Sequence, residues 1–276
     1  MTHELIHLKD RFPFLGEEGQ DPTLTTYLPY NMTEMKRQDQ KRPTILLCPG
    51  GGYAMVSQRE SEPIALHFLP EGYNVFVLTY SVAPHRFPTQ LREVAAAMEL
   101  IYENADRWNV DTNRIAIMGF SAGGHLAAHY TNSFDCPEVR SVFPESKPVQ
   151  ASILCYPVIT TQQTMGHTGT FQNLTGHFPL TEAETSKFSC ERLITDSTPP
   201  TFLWHTAADQ LVPVGNSLIY AQALSDHKIP FSLHIYPVGA HGLATVDAET
   251  NGELSPASLL AVDWLSSLKS WLKITF

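Results

Sequence analysis

A chain of 276 residues with 43% apolar and 17% charged residues can bury a substantial core, which excludes disordered and fibrous classes. Its net charge of -10 would repel nucleic-acid phosphates, and the one basic group (Lys36, Arg37, Lys41, Arg42) is mixed with Asp39 in a predicted loop. No window of roughly 18 apolar residues is present, and the opening MTHELIHLKDRF lacks an apolar core and a small-residue cleavage site, so neither a membrane span nor a signal peptide is expected.

Short β-rich runs alternate with helical patterns along the chain. Strands are predicted at 24–28 (LTTYL), 44–48 (TILLC), 75–80 (VFVLTY), 114–118 (RIAIM), 151–156 (ASILCY), 201–205 (TFLWH) and 231–236 (FSLHIY). Continuous apolar runs of this length suit parallel strands buried on both faces. A helix is predicted from Phe87 to about Asn104, because Leu91, Val94, Met98 and Ile101 recur at spacings of three and four. Others are predicted over 216–227 and 256–273, the last with Leu260, Trp264, Leu268 and Trp271 on one stripe and Pro256 in its first turn. The fold class is therefore α/β, a mostly parallel central sheet flanked by helices, read as a single domain over 1–276.

One segment breaks the alternation. Residues 160–198 are rich in Thr, Gly and His, with a short helical pattern only at 181–188. A connection this long inside a compact domain usually walls or covers a site. Phe171, Leu174, Phe178 and Leu180 supply apolar anchors for it, so it is read as an insertion over the site. Cys48, Cys136, Cys155 and Cys190 are widely spaced and form no CxxC or Cys/His ligand pattern; reduced thiols in a cytoplasmic protein are expected, with no metal.

The chemistry concentrates at Gly119-Phe120-Ser121-Ala122-Gly123, between a predicted strand and a helical run through Leu126, Ala127 and Tyr130. A sharp strand-to-helix turn exposes a serine hydroxyl and needs small neighbours. Serine alone is a weak nucleophile; it requires a base, and the base an orienting acid. In this context the chain order Ser, acid, His is met by Ser121, Asp209 after the strand TFLWH, and His241 after the strand FSLHIY. Glu60 is the competing acid, although it precedes the serine, while Asp226, Asp247 and Asp263 are poorly placed. His125 is read as a packing or pocket residue, His205 as a strand residue near the site, and His234 as structural. Pro49-Gly50-Gly51-Gly52-Tyr53 follows the strand TILLC, where its main-chain N–H groups could join that of Ala122 in binding an oxyanion. Tyr53 and Phe120 are expected in the pocket wall.

PGGGY, YSVAP, GFSAGGHLAA, D-x-x-VP and AHG, in this order, resemble the α/β-hydrolase esterases, in particular the hormone-sensitive-lipase-like and acetyl-xylan-esterase-like bacterial carboxylesterases. The resemblance runs from about residue 24 to the C-terminus. It implies an α/β-hydrolase fold with Ser121 as nucleophile, Asp209 as acid and His241 as base. Gly51, Gly52 and Ala122 are implied as oxyanion donors. No cofactor is implied. Two departures stand out: Pro49 replaces the histidine of the His-Gly-Gly-Gly loop, and no N-terminal helical cap is expected before the first strand.

The function expected is hydrolysis of short-chain acyl esters, acetyl esters first, on small molecules such as acetylated sugars. The alternatives are an arylformamidase or peptidase on the same fold, which amide turnover would distinguish, and a non-catalytic binding protein, which should lack a triad member. Trp271, Leu272, Ile274 and Phe276 at the C-terminus allow either self-association or packing onto the chain's own sheet.

Overall fold

The apolar runs assemble into one eight-stranded sheet. The computed structural model describes residues 1–16, 21–256 and 258–276. Its strands are β1 (Leu5–His7), β2 (Thr23–Tyr27), β3 (Arg42–Cys48), β4 (Asn74–Thr79), β5 (Val110–Phe120), β6 (Ala151–Cys155), β7 (Thr201–Thr206) and β8 (Phe231–Tyr236). The spatial order is β1-β2-β4-β3-β5-β6-β7-β8. β1 pairs antiparallel with β2, and β2 with β4; every pairing from β4 to β8 is parallel. All seven expected strands are present. β1 is additional: three residues with an exposed or half-exposed pattern carry too little periodicity to be read beforehand.

Strand alternation sends side chains to two cores. Leu46, Phe76, Leu78 and Ile117 face one layer, which includes the helices α2 (Thr89–Glu103), α3 (Ser121–Ser133) and α6 (Gly215–Asp226). Ile45, Leu47, Val75 and Met118 face the other, against α1 (Glu62–Phe68) and α7 (Trp264–Thr275). There the rings of Trp204 and Trp264 stack with centroids 4.8 Å apart. Among the described residues, no helix is long and apolar enough to cross a membrane.

The C-terminal expectation needs correction. Pro256 does not open the last helix; a 3-10 turn, Ser258–Ala261, intervenes and α7 begins at Trp264. Residue 257, inside the expected helix, lies outside the described residues. Leu260 is consequently 57% exposed, and the buried stripe is Trp264, Leu265, Leu268 and Leu272. Trp271 packs beside Phe202, so much of the apolar C-terminus is covered by the chain's own sheet.

Residues 160–198 hold two helices where one was expected. α5 (Glu182–Phe188) matches, with Thr181 and Glu184 forming a capping box. α4 (Thr168–Thr175) was not foreseen: its N-cap is His167, a residue outside the usual capping set, and it ends on Gly176 in the left-handed conformation. Phe171 and Leu174 of α4 are buried in the core, whereas Phe178 and Leu180 are only partly covered.

One buried acid links this fold to pH. Glu93 of α2 accepts hydrogen bonds from the Ser81 backbone N–H, at 2.7 Å, and from the Ser81 hydroxyl. This contact sets the loop after β4, whose Ala83 N–H donates to Tyr53 O at 2.7 Å. Burial pushes the Glu93 carboxyl up to about 7 from 4.5, against the lowering effect of the Ser81 hydrogen bonds. The folded state therefore binds this proton more tightly than the unfolded chain. Its contribution is complete below pH 4.5 and is lost as pH rises through about 7, a change on the order of 3 kcal/mol. Glu93→Gln should remove that decline, seen as a flatter Tm between pH 5 and 8; an unchanged pH slope would contradict this assignment.

Candidate active site

β5 ends at Phe120 and α3 starts at Ser121 with no intervening loop. Ser121 takes φ +52°, a left-handed conformation costing roughly 1–3 kcal/mol for a residue with a side chain. Its neighbours explain how the turn closes. A Cβ at Gly119 would run into the carbonyl oxygen of Gly123, and one at Gly123 into that of Cys48 at the end of β3. Only glycine permits this approach of strand, elbow and helix.

His241 follows β8 and reaches back to the elbow. Its Nε2 lies 2.8 Å from Ser121 Oγ, and its Nδ1 lies 2.6 Å from Asp209 Oδ2. Asp209 Oδ1 accepts from the N–H groups of Leu211 and Val212, both at 2.9 Å. Because carboxylate oxygen only accepts, Nδ1 must carry the His241 proton, leaving Nε2 to accept from the serine hydroxyl. Burial alone would raise the Asp209 carboxyl. Hydrogen bonds from His205 and His241, the His241 charge and the Val212 N–H together hold it well below its ordinary range. Asp209 is therefore ionised across the neutral range.

The glycine loop is braced without a histidine at position 49. Tyr80 O–H donates to Pro49 O at 2.6 Å, Gly50 N–H to Glu60 Oε2 at 2.8 Å, and Asn173 Nδ2 to Gly52 O at 2.8 Å. Gly51 and Gly52 have φ of +126° and +64°. Their N–H groups have no partner among the described residues, and with Ser121 they line a cavity of about 640 Å³. Ala122 occupies the first turn of α3, where backbone N–H groups have no partner within the helix.

Other cavity walls include Met55, Glu60, His167, Asn173, Leu211 and His241. Tyr53 and Phe120, expected in this wall, do not line it. Tyr53 sits at φ +55°, is 1% exposed, and places its hydroxyl 2.9 Å from His125 Nδ1. Phe120 lies on the sheet face of Met118 and packs on Tyr156 and Trp264.

Glu60 does not contact His241 as an acid partner. Its carboxylate is 3% exposed and accepts from Gly50 N–H and from Tyr156 O–H at 2.8 Å. The Tyr156 hydroxyl oxygen in turn accepts from Ala244 N–H at 3.1 Å, and its ring stands edge-on to His241 at 5.1 Å. Glu60 thus ties the glycine loop to the histidine loop. Sequence position alone concealed this, since Tyr156 is 96 residues away.

The remaining histidines have separate jobs. His125 is fully buried; its Nε2 donates to Phe188 O at 2.9 Å while Nδ1 accepts from Tyr53. Burial lowers its pKa to about 4, so it is a neutral brace between the glycine loop and α5. His205 touches the site through the acid: Nε2 is 2.9 Å from Val212 O and 3.3 Å from Asp209 Oδ2. His234 stacks on Phe202 at the sheet edge. Among the described residues, no group of three or more His, Cys, Asp or Glu side chains is arranged to hold a metal ion.

A model of the BD-FAE family matches residues 30–224, most of the sheet and the elbow. The chain belongs to the BD-FAE family. An acetylxylan esterase from Xylanibacter ruminicola is 33% identical over 203 residues, covering 72% of this chain and 40% of that protein. An endo-1,4-beta-xylanase B from Butyrivibrio fibrisolvens is 38% identical over 256 residues, 89% of this chain and 38% of that one. The BD-FAE chain thus spans about two fifths of the length of these curated relatives. Among solved structures, an acetyl ester-xyloside bifunctional hydrolase from Caldicellulosiruptor lactoaceticus superposes with a TM-score of 0.85 at 33% identity, covering 98% of this chain and 96% of that one. A carboxylesterase from Lactobacillus plantarum gives 0.82 at 29% identity, covering 99% and 98%. The resemblance to α/β-hydrolase carboxylesterases is borne out, as is the fold class.

Proposed function

We propose that this domain is a serine carboxylesterase that hydrolyses short-chain acyl esters, acetyl esters first, through an acyl-enzyme on Ser121. The observation that carries the reading is the unbroken relay from Ser121 Oγ through His241 to Asp209, at 2.8 and 2.6 Å, opening on a cavity beside the Gly51 and Gly52 N–H groups, which have no partner among the described residues.

In the first half-reaction His241 Nε2 takes the Ser121 proton as Oγ attacks the ester carbonyl. The carbonyl oxygen becomes an oxyanion held by the N–H groups of Gly51, Gly52 and Ala122. Collapse breaks the bond to the alcohol oxygen, which leaves with the proton from His241. Water then attacks the acyl-enzyme, gives its proton to His241, and releases the acid as Ser121 regains a proton. Asp209 keeps the His241 proton on Nδ1 and stabilises the imidazolium at each step.

The acetyl preference is supported by the names of two relatives, an acetylxylan esterase and an acetyl ester-xyloside hydrolase, each 33% identical. A p-nitrophenyl ester series from acetate to decanoate tests it. kcat/KM should peak at two to four carbons and fall at least tenfold by eight. A peak at eight carbons or more would overturn the short-chain reading.

A further inference from the structure

Resting on the esterase reading, we infer that His167 is a specificity-determining hydrogen-bond donor that recognises a second oxygen on the alcohol part of the ester, as a sugar or other polyol presents. His167 caps α4 with one ring nitrogen only. Thr170 N–H donates to Nδ1 at 3.2 Å, and the Thr170 hydroxyl lies 2.8 Å from the same atom. The same N–H also donates to His167 O at 3.0 Å; because a backbone N–H can only donate, its contact with Nδ1 makes that atom an acceptor and puts the proton of the neutral ring on Nε2. Nε2 has no protein partner among the described residues, and the half-buried ring stands in the wall of the cavity that holds Ser121 and His241. Gly169, beside it in that wall, has no side chain to cover the ring; a Cβ there would lie 3.4 Å from His167 Cε1.

The surroundings also favour the neutral ring over the charged one. Burial lowers the His167 pKa, and the nearby His241 lowers it further, with Asp209 opposing. A neutral donor can bind a hydroxyl or ether oxygen without competing with His241 for the leaving group's proton. An alkyl or aryl alcohol without a second oxygen would leave this N–H without a partner.

The test compares phenyl acetate with a monoacetylated methyl xyloside for the wild type, His167→Asn and His167→Phe. Asparagine caps a helix as well as histidine does but is too short to present the ring's far edge, so its Tm should stay near that of the wild type. Both variants should lose about tenfold or more in kcat/KM on the acetylated xyloside and change by less than about threefold on phenyl acetate. Parallel losses on both substrates would reduce His167 to a structural cap and overturn the inference. So would an unchanged ratio, or a wild type that hydrolyses phenyl acetate but not the xyloside ester. A wild type inactive on both esters would instead sink the esterase reading itself.

Discussion

Ser121→Ala is expected to lower kcat on p-nitrophenyl acetate by about 10⁵-fold while leaving the fold intact. The loss is large because the variant deletes the atom that forms the covalent bond, and nothing at the elbow can replace it. The residual rate would come from the backbone donors and from binding alone. Stability should change little. The hydroxyl bonds His241 at 2.8 Å in a solvent-accessible cavity, and alanine meets the same φ of +52° that serine already tolerates. Stopped assays with matched thermal melts would separate the two effects. Retention of more than about a tenth of wild-type kcat would remove Ser121 from the reaction.

Asp209→Asn should be nearly as severe, about 10⁴-fold in kcat, for a different reason. The asparagine carbonyl can keep the N–H bonds from Leu211 and Val212 that now reach Oδ1. Its amide then faces His241 Nδ1, which lies 2.6 Å from Oδ2, and His205 Nε2 at 3.3 Å. Two donors would confront each other, so the His241 proton moves to Nε2 and the ring can no longer accept from Ser121. KM should move far less than kcat, because the acid does not line the cavity. The variant should also lose the acid sensitivity that Asp209 confers. That carboxyl is held below its ordinary range, so its contribution is present above the unfolded value and disappears as pH falls through the folded one. A drop in kcat below tenfold would mean that His241 is oriented by another group.

The fold and the three residues of the relay were legible in the sequence because both depend on local pattern. Apolar runs followed by helical spacing dictate parallel pairing, and Gly119 and Gly123 flank a turn that excludes larger residues. Asp209 and His241 were found by chain order after the last two expected strands, which are β7 and β8 in the structure. What escaped was set by side-chain direction and long-range partners. Phe120 adjoins Ser121 in sequence, yet strand alternation sends it to the opposite sheet face beside Trp264. Tyr53 follows the glycine loop, but its positive φ turns the ring into the core toward His125. Helix α4 was hidden because its N-cap is a histidine, and the 3-10 turn before α7 rotated the expected stripe off Leu260. The bracing of the glycine loop by Glu60 and Asn173 has no local signature, since Asn173 is 121 residues from its partner.

Labelling with a fluorophosphonate, followed by digestion and mass analysis, tests the central claim most directly. One adduct per chain is predicted, on the peptide carrying Ser121, with none in Ser121→Ala. An adduct on any other residue would contradict it, as would an unlabelled Ser121 in a preparation that still turns over phenyl acetate.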